Sequence, residues 1–531
     1  MRIETLTFDK TASFGRLALD YLAGKPELMG FAPHSFDIDG IKNALAQKRS
    51  FSSSQREVLV NALYRQYSEI ERNRELEAQL EALRNETTFT VVTAHQPNLF
   101  TGPAYFIYKI AGTIALANRL KNEINDAHFV PVYWMGSEDH DLEELNHIHL
   151  FHHELRWENG LKGPVGRMPL QTLTPVLNQV LELLGDKPEA EELKSILLDC
   201  FQPEYTWAFA TRKMVNRLFG KFGLVVVDGD DNELKKQFST IAERELVGRE
   251  SEALVLKTAE RLHEAGYPSQ IFPRPINLFW VEDGIRERII FEEGTFKTVN
   301  NQRSWSEKEM LHLVHTSPEA FSPNVVLRPV YQELVLPNVA FIGGGAEVAY
   351  WMLLKPVFEL YEVSMPAVLL RSSAIYVDRS SQTKLDKLGF TIERFFEPVE
   401  ALIVDHLQEQ EKEIFSIDTE LTELEAWFVN LANHIETVDP SLKGAALAEG
   451  KKVEGQLKAL EARVKKAQKQ RHETSINQIK LLKAKLFPNQ HLQERHDNFM
   501  NFYLQEGPAF VELCTQVLDP LSKSFVILKA S

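Results

Sequence analysis

The stretch MGSEDHDLEELNH, residues 135–147, crowds titratable side chains into one short segment: Glu138, Asp139, His140, Asp141, Glu143, Glu144 and His147. Carboxylates next to imidazoles at this spacing suit proton transfer to and from a nucleophile. They also suit a metal held by Asp139, His140, Asp141 and His147 through oxygen and nitrogen. A third possibility is the solvated start of a helix. The apolar run FVPVYWM directly precedes the cluster. The cluster therefore falls at the carboxyl end of a buried strand, where open α/β sheets bind their ligands. Glu138 to Asp141 are the catalytic candidates, whereas Glu143 and Glu144 are expected to face solvent, and Asn146 joins the binding candidates.

Two further segments fall at strand ends. TAHQPNLFTGP places His95, Gln96, Asn98, Thr101 and Gly102 ahead of a helix start, a position that favours phosphate or carboxylate. Read structurally, the same residues are a turn with polar capping. FIGGGAEVAYW carries Gly343, Gly344 and Gly345, which let backbone come close to a ligand, followed by Glu347, Tyr350 and Trp351. It is neither GxGxxG nor a phosphate-binding GxxxxGK[ST] loop. SPNVVLRPVYQE sets Asn324, Arg328, Gln332 and Glu333 among apolar residues, and LLRSSA puts Arg371 after a buried strand. An arginine in such a place needs an anion, supplied by a carboxylate or by a ligand.

The elements that must position these residues can be read from periodicity. Residues 1–88 read as a helical segment packing on the core, with Val58, Leu59, Leu63, Tyr67, Ile70, Leu76, Leu80 and Leu83 at helical spacing. TFTVVTAHQ is β-branched and short, a strand. AYFIYKIAGTIALANRLKN is a buried helix, with Pro103 suited to its first turn. With the strand ending in the acidic cluster, these make a strand–helix–strand unit and imply parallel pairing. FGLVVVDGDDNELKKQF, VAFIGGGAEVAYW and SMPAVLLRSSAIYV continue the alternation, and Asp283-Gly284 turns a hairpin. The expected architecture is α/β: a Rossmann-like, parallel-sheet core over 89–384, with insertions at about 150–215 and 240–320. A heptad seam follows, from Ile414 through Ile417, Leu421, Leu424, Phe428, Leu431 and Ile435. It resumes after Asp439-Pro440 at Val453, Leu457, Leu460, Val464 and Ala467. Residues 385–490 thus form an antiparallel helical coiled coil, with a Glu-rich arm attracting a Lys-rich one. Residues 491–531 are a helical segment returning to the core.

Composition narrows the function. The chain has 531 residues, 44% hydrophobic and 25% charged, with a net charge of -16. That acidic balance counts against a nucleic-acid partner. No run is long enough to span a bilayer, and the N-terminus lacks the pattern of a secretory signal. The two cysteines, Cys200 and Cys514, form no CxxC and read as small buried residues in a cytoplasmic protein.

Several segments occur together and in order: HQPNLFTGPAYFIYK, PVYWMGSEDHDLEELNH, SPNVVLRPVYQE, GGGAEVAYW and LQERHDNFMNFYL. In this arrangement the chain resembles the bacillithiol-biosynthesis cysteine ligase family, BshC, over essentially its full length. His95 and Asn98 depart from the Gly-Gln-Gln-x-Gly-Leu-x-Thr-Gly-Pro pattern usual in that family, and Gly345 and Ala346 replace a Pro-Gly pair. The resemblance implies a core of the class I synthetase type with connecting-peptide insertions, and a homodimer through the coiled coil. The implied activity joins L-cysteine to the amine of glucosaminyl malate in the last step of bacillithiol synthesis. Activating a free carboxylate implies ATP or another nucleotide and Mg²⁺, with an arginine stabilising the phosphorus centre. Glu138 to Asp141 would hold the sugar and its amine; His95, Gln96 and the glycine turn would hold the nucleotide. Two other readings stay open: a metal-dependent hydrolase or transferase built on the acidic cluster, and a non-catalytic dimeric scaffold with a nucleotide pocket.

Overall fold

In the computed structural model, which describes residues 1–268, 272–411 and 415–530, the chain divides into two compact units. One comprises residues 1–377 and 491–531, the other residues 378–490. The first unit opens with strand β1 (Arg2–Thr7), not a helix. RIETLT is almost wholly exposed and carries little apolar signal, so only its partner strand fixes it. The helices expected in this region follow at Ile38–Lys48, Ser53–Gln66 and Arg74–Ala82. Leu59, Leu63, Tyr67, Leu76, Leu80 and Leu83 are fully buried.

The core then builds up by alternation. β2 (Thr88–His95) leads through helix α1 (Tyr105–Glu123) to β3 (His128–Met135). The helix begins two residues after Pro103, which instead bridges to Asn498. A small hairpin, β4 (His147–Leu150) and β5 (His153–Arg156), opens the first insertion, and helices over 174–219 complete it. β6 (Val225–Asp228) precedes helix α2 (Asn232–Gly248), whose N-cap Asp231 accepts from Glu233 and Leu234 N–H. The second insertion carries an antiparallel sheet: β7 (Leu278–Glu282), β8 (Ile285–Glu292), β9 (Thr295–Thr298), β10 (Ser304–Ser306) and β11 (Phe321–Pro323). Its first turn is Asp283-Gly284, with Gly284 at φ 72°. Helix α3 (Arg328–Val335), β12 (Asn338–Gly343), helix α4 (Gly345–Trp351) and β13 (Ala367–Leu370) finish the core.

The main sheet has the order β13-β12-β2-β3-β6, and every pair in it is parallel. From β2 the chain winds outward on one side to β3 and β6, then returns to add β12 and β13 on the other. This is the Rossmann order, and the switch point lies between β2 and β12. β2, β3, β12 and β13 are buried on both faces, as parallel strands covered by helices must be.

SMPAVLLRSSAIYV is two strands rather than one. β14 (Ser373–Val377) leaves the main sheet after Arg371-Ser372. It pairs in parallel with β15 (Ser524–Lys529), and β15 pairs antiparallel with β1. The C-terminal segment therefore ends in a strand, after the expected helices at Met500–Glu506 and Ala509–Val517. Cys200 and Cys514 are both free and fully buried, and burial raises both thiols, Cys200 to about 12.

In the second unit, helix α5 (Asp418–Glu436) and helix α6 (Lys443–Leu486) pair through a turn capped by Asp439. Ile414 lies outside the described residues; Ile417, Leu421, Leu424, Phe428, Leu431 and Ile435 form the half-buried seam of α5. Phe428 packs so tightly on Gly450 that a Cβ there would lie 2.8 Å from its ring. On α6 the seam runs through Ala446, Gly450, Val453, Leu457, Glu461 and Val464, leaving Leu460 and Ala467 exposed. A helix at 3.6 residues per turn drifts off a strict seven-residue repeat, which moves the contact from Leu460 to Glu461. Among the described residues, attraction between the arms comes from Lys443–Glu436 at 2.6 Å and Lys451–Glu425 at 4.0 Å. Lys452–Glu449 and Lys458–Glu454 are pairs within α6 itself, and Lys485 pairs with Asp378. Among the described residues no helix is long and apolar enough to cross a membrane.

Candidate active site

A cavity of about 710 Å³ opens at the switch point, beyond the carboxyl ends of β2, β3 and β12. β2 delivers His95 and Gln96, and β3 delivers Gly136, Glu138 and Asp139. The glycine turn after β12 adds Gly344, Gly345 and Glu347, with Tyr350 one turn on along α4. Arg328 at the start of α3, Arg371 after β13, Arg286 of β8 and Arg495 complete the charged lining.

Buried hydrogen bonds wire this wall. Lys109 of α1 is 2% exposed and donates to the Ala94 carbonyl at 2.6 Å and to Glu347 at 2.7 Å. The same Glu347 oxygen accepts the Gly344 N–H at 2.8 Å, so the start of α4 is capped by its own carboxylate. Burial works against that carboxylate, but Lys109 and the Gly344 N–H hold its pKa below the usual range. His95 lies between the Gln96 carbonyl and the Tyr105 hydroxyl, at 3.1 and 3.0 Å. Arg371 donates to Glu494 at 2.6 Å, and its guanidinium lies 5.2 Å from the Tyr105 ring centroid.

The acidic cluster divides in three. Glu138 turns into a buried ion network: Lys235 of α2 reaches it at 2.6 Å and Asp230 at 2.9 Å, and Arg167 clamps Asp230 with two bonds of 2.6 and 2.7 Å. Burial raises the Glu138 pKa against the pull of Lys235, with Asp230 adding to the rise. Asp139 faces the cavity and accepts the Gln96 amide at 3.0 Å. Burial opposes its charge, but Arg286, Gln96 and the N–H groups of Asp141 and His140 keep its pKa low. His140 and Asp141 lie outside the cavity lining. His140 is exposed and accepts from Arg286 at 2.8 Å, and Asp141 caps the helical turn Leu142–Leu145. Glu144 is exposed, as expected, and also lines the cavity together with His147. Asp139, His140, Asp141 and His147 are thus spread over a cavity wall, an exposed loop and a cap. Among the described residues no three His, Cys, Asp or Glu side chains gather to hold a metal.

Three cavity arginines close no ion pair with a carboxylate among the described residues, although the charges of Asp139 and Glu138 act on Arg286 from farther away. Arg328 donates only to neutral oxygens, Gln332 at 3.2 Å and Tyr350 at 2.8 Å. Arg286 contacts His140, Ser322 and the Pro323 carbonyl. Arg495 is exposed and lines the cavity without an ion pair.

Other candidate residues fall behind this wall. Asn98, Thr101 and Gly102 are a packed loop: a Cβ on Gly102 would meet Asn98 at 2.7 Å, and Asn498 donates to the Phe100 and Gly102 carbonyls. Gln332 is fully buried and braces Arg328. Trp351 stacks on Phe341 at 4.2 Å, Gly343 ends its strand by accepting Arg371 N–H, and Asn146 accepts from Arg156. The sequence reading missed Tyr105, Lys109, Arg286, Glu494 and Arg495. A single lysine inside the apolar helix AYFIYKIAGTIALA was a usable signal for Lys109. Arg286 had none, because it arrives from a separate sheet.

The comparisons with known proteins agree with this architecture. "Bacillithiol biosynthesis BshC, N-terminal Rossmann-like domain" matches residues 1–372, and "Bacillithiol biosynthesis BshC, C-terminal coiled-coil domain" matches residues 374–530. A Flavobacterium psychrophilum protein is 39% identical over 531 residues, covering 100% of both chains. A Flavobacterium johnsoniae protein is 38% identical, covering 99% of this chain and 100% of its own. Both carry the name "Putative cysteine ligase BshC". With this sheet order, this switch-point cavity and matches along its whole length, the chain belongs to the bacillithiol-biosynthesis BshC family.

Proposed function

We propose that the protein is a cysteine ligase that forms an amide between the carboxyl group of L-cysteine and the amine of glucosaminyl malate, giving bacillithiol in the cytoplasm. The observation that carries this reading is the set of Arg286, Arg328 and Arg495, which line one cavity and, among the described residues, close no ion pair with a carboxylate. Guanidinium groups left in that state call for anionic ligands. The proposed reactants are rich in them: two malyl carboxylates, the cysteine carboxylate and the phosphates of a nucleotide. A nucleoside triphosphate with Mg²⁺ supplies the activation that a free carboxylate needs. A magnesium ion held mainly by phosphates requires only one or two protein carboxylates, and among the described residues Asp139 and Glu144 line the cavity without a lysine ion pair. Lys109 and Glu347 keep the glycine turn fixed against β2. The apolar residues left exposed on the hairpin, Trp427, Val438 and Leu442, support a second copy of the chain as partner.

The test is direct. Purified protein is incubated with cysteine, glucosaminyl malate and Mg²⁺, with and without ATP, and thiol products are separated and weighed by mass spectrometry. The expected product carries a new amide and appears only with nucleotide. Product formed without any nucleotide would refute the activation step, and no product under any nucleotide would refute the ligase reading. Sedimentation of the same sample reads the dimer.

A further inference from the structure

Two hydrogen bonds fix the protons of the His95 ring. Its Nδ1 lies 3.1 Å from the Gln96 carbonyl oxygen, which can only accept, so Nδ1 carries the hydrogen. In the neutral ring Nε2 then has only a lone pair, and it accepts the Tyr105 O–H at 3.0 Å. The ring is neutral at physiological pH, since burial, followed by the charge of Lys109, lowers its pKa to about 4 against the pull of Glu347. The titratable and charged groups around it are Lys109 and Tyr105 of α1, Glu347 of α4, Arg371 after β13, and Tyr133 of β3, whose hydroxyl donates to the His95 carbonyl at 3.0 Å.

The consequence falls on Tyr105, which lines the cavity. Its hydrogen is committed to His95, so toward the cavity its oxygen offers lone pairs alone. A group that binds there must donate. Of the reactants in the acyl-transfer reading above, the amine is the one that must give up a proton as it attacks.

We propose that Tyr105 takes the proton of the attacking amine while passing its own to His95 Nε2. This rests on the ligase reading. The amine lone pair forms the new C–N bond at the activated acyl carbon. The bond from that carbon to its leaving oxygen breaks, and the leaving group departs with the electron pair. The amine hydrogen moves to Tyr105 Oη, the Tyr105 hydrogen moves to His95 Nε2, and the imidazolium releases its proton to solvent. Tyr105 is the catalytic residue of this pair, and His95 is the residue that positions its hydrogen and receives it.

The experiment uses the full chain with cysteine, ATP and Mg²⁺, and two nucleophiles: glucosaminyl malate, and hydroxylamine, which is uncharged at neutral pH and whose adduct loses its proton to water. Tyr105→Phe is expected to slow amide formation by about 100-fold or more, the lower range for a lost acid–base group, while hydroxamate formation stays within about twofold. His95→Leu is expected to behave like Tyr105→Phe. His95→Gln, whose amide oxygen can hold the tyrosine hydrogen but cannot take the proton, is expected to slow amide formation as His95→Leu does and to leave hydroxamate formation within about twofold. Equal slowing of both nucleophiles, or an unslowed reaction with the aminosugar, overturns the relay and leaves the ligase reading standing. A parent chain that makes neither amide nor hydroxamate overturns both. The two His95 variants test the relay independently should Tyr105→Phe fail to fold.

Discussion

Arg371 and Glu494 meet at 2.6 Å across 123 positions of sequence, with side chains only 4% and 0% exposed. The second Glu494 oxygen accepts the Ala374 N–H at 2.9 Å, so the carboxylate also fixes the backbone where the chain changes sheets. Removing one partner of such a pair leaves an uncompensated buried charge, which costs about 3–5 kcal/mol. Glu494→Gln and Arg371→Met should each lower the unfolding free energy by about that amount. The double variant should lose much less than the sum, because both charges are gone. Urea denaturation of the four proteins checks this, and strict additivity would show that the pair is not coupled.

Arg328 should behave in the opposite way. Its hydrogen bonds go to neutral oxygens, so Arg328→Met should leave stability within about 1 kcal/mol of the parent. Its effect belongs to ligand binding. Losing one hydrogen bond to a charged group costs about 1.5–3 kcal/mol, or roughly 10- to 100-fold in affinity. Calorimetric titration with ATP and, separately, with glucosaminyl malate tells which ligand it holds. Unchanged affinity for both would remove Arg328 from the site.

The network behind β3 sets an acid limit on stability. Lys235 and Arg167 together outweigh burial and hold the Asp230 carboxyl well below the usual carboxylate range. Its contribution is therefore complete above about pH 4, the usual carboxylate value, and is lost as pH falls through the lowered folded value. Glu138 has the opposite sign: burial raises its pKa, so its ionisation weakens the fold as pH rises. Asp230→Asn should flatten the decline of the denaturation midpoint as pH falls from about 5 to about 2, while Glu138→Gln should leave that decline in place. Parallel curves for the parent and Asp230→Asn would contradict the assignment.

The glycine triplet separates by steric room. A Cβ on Gly343 would lie 2.8 Å from Glu347 Cβ and 2.9 Å from the Phe341 ring, which Trp351 holds by stacking. On Gly344 it would meet nothing closer than 3.5 Å, and on Gly345 nothing closer than 3.9 Å. Gly343→Ala should cost about 1–3 kcal/mol by overpacking. Gly345→Ala, inside α4, should be neutral or slightly stabilising. Gly344→Ala should leave the melting temperature unchanged and reduce activity, because it narrows the cavity. Thermal melts beside the amide assay separate the three.

The parallel sheet was legible because its strands are covered on both faces and therefore appear as unbroken β-branched runs. The division of SMPAVLLRSSAIYV was not, because both halves are equally apolar and hydrophobicity carries no record of sheet membership. β1 was hidden for the contrary reason, since an exposed strand needs no apolar pattern. At the site, the strand ends located the cavity and named His95, Gln96, Asp139, Arg328 and Glu347. Local sequence could not tell that Asp141 caps a turn while Glu144 reaches the cavity, because a change of a few residues in where the chain turns decides it. Nor could it supply Arg286 or Glu494, which the fold brings from distant segments.

The three-stranded sheet of β1, β14 and β15 also has a meaning in time. Arg371 and β14 leave the ribosome well before Glu494 and β15 do. At about 5–20 residues per second, the delay from Val377 to Lys529 is roughly ten to thirty seconds. During that interval the nascent chain carries an unneutralised guanidinium and an unpaired strand edge beside a half-built cavity. The wall therefore closes only after this last strand has been made.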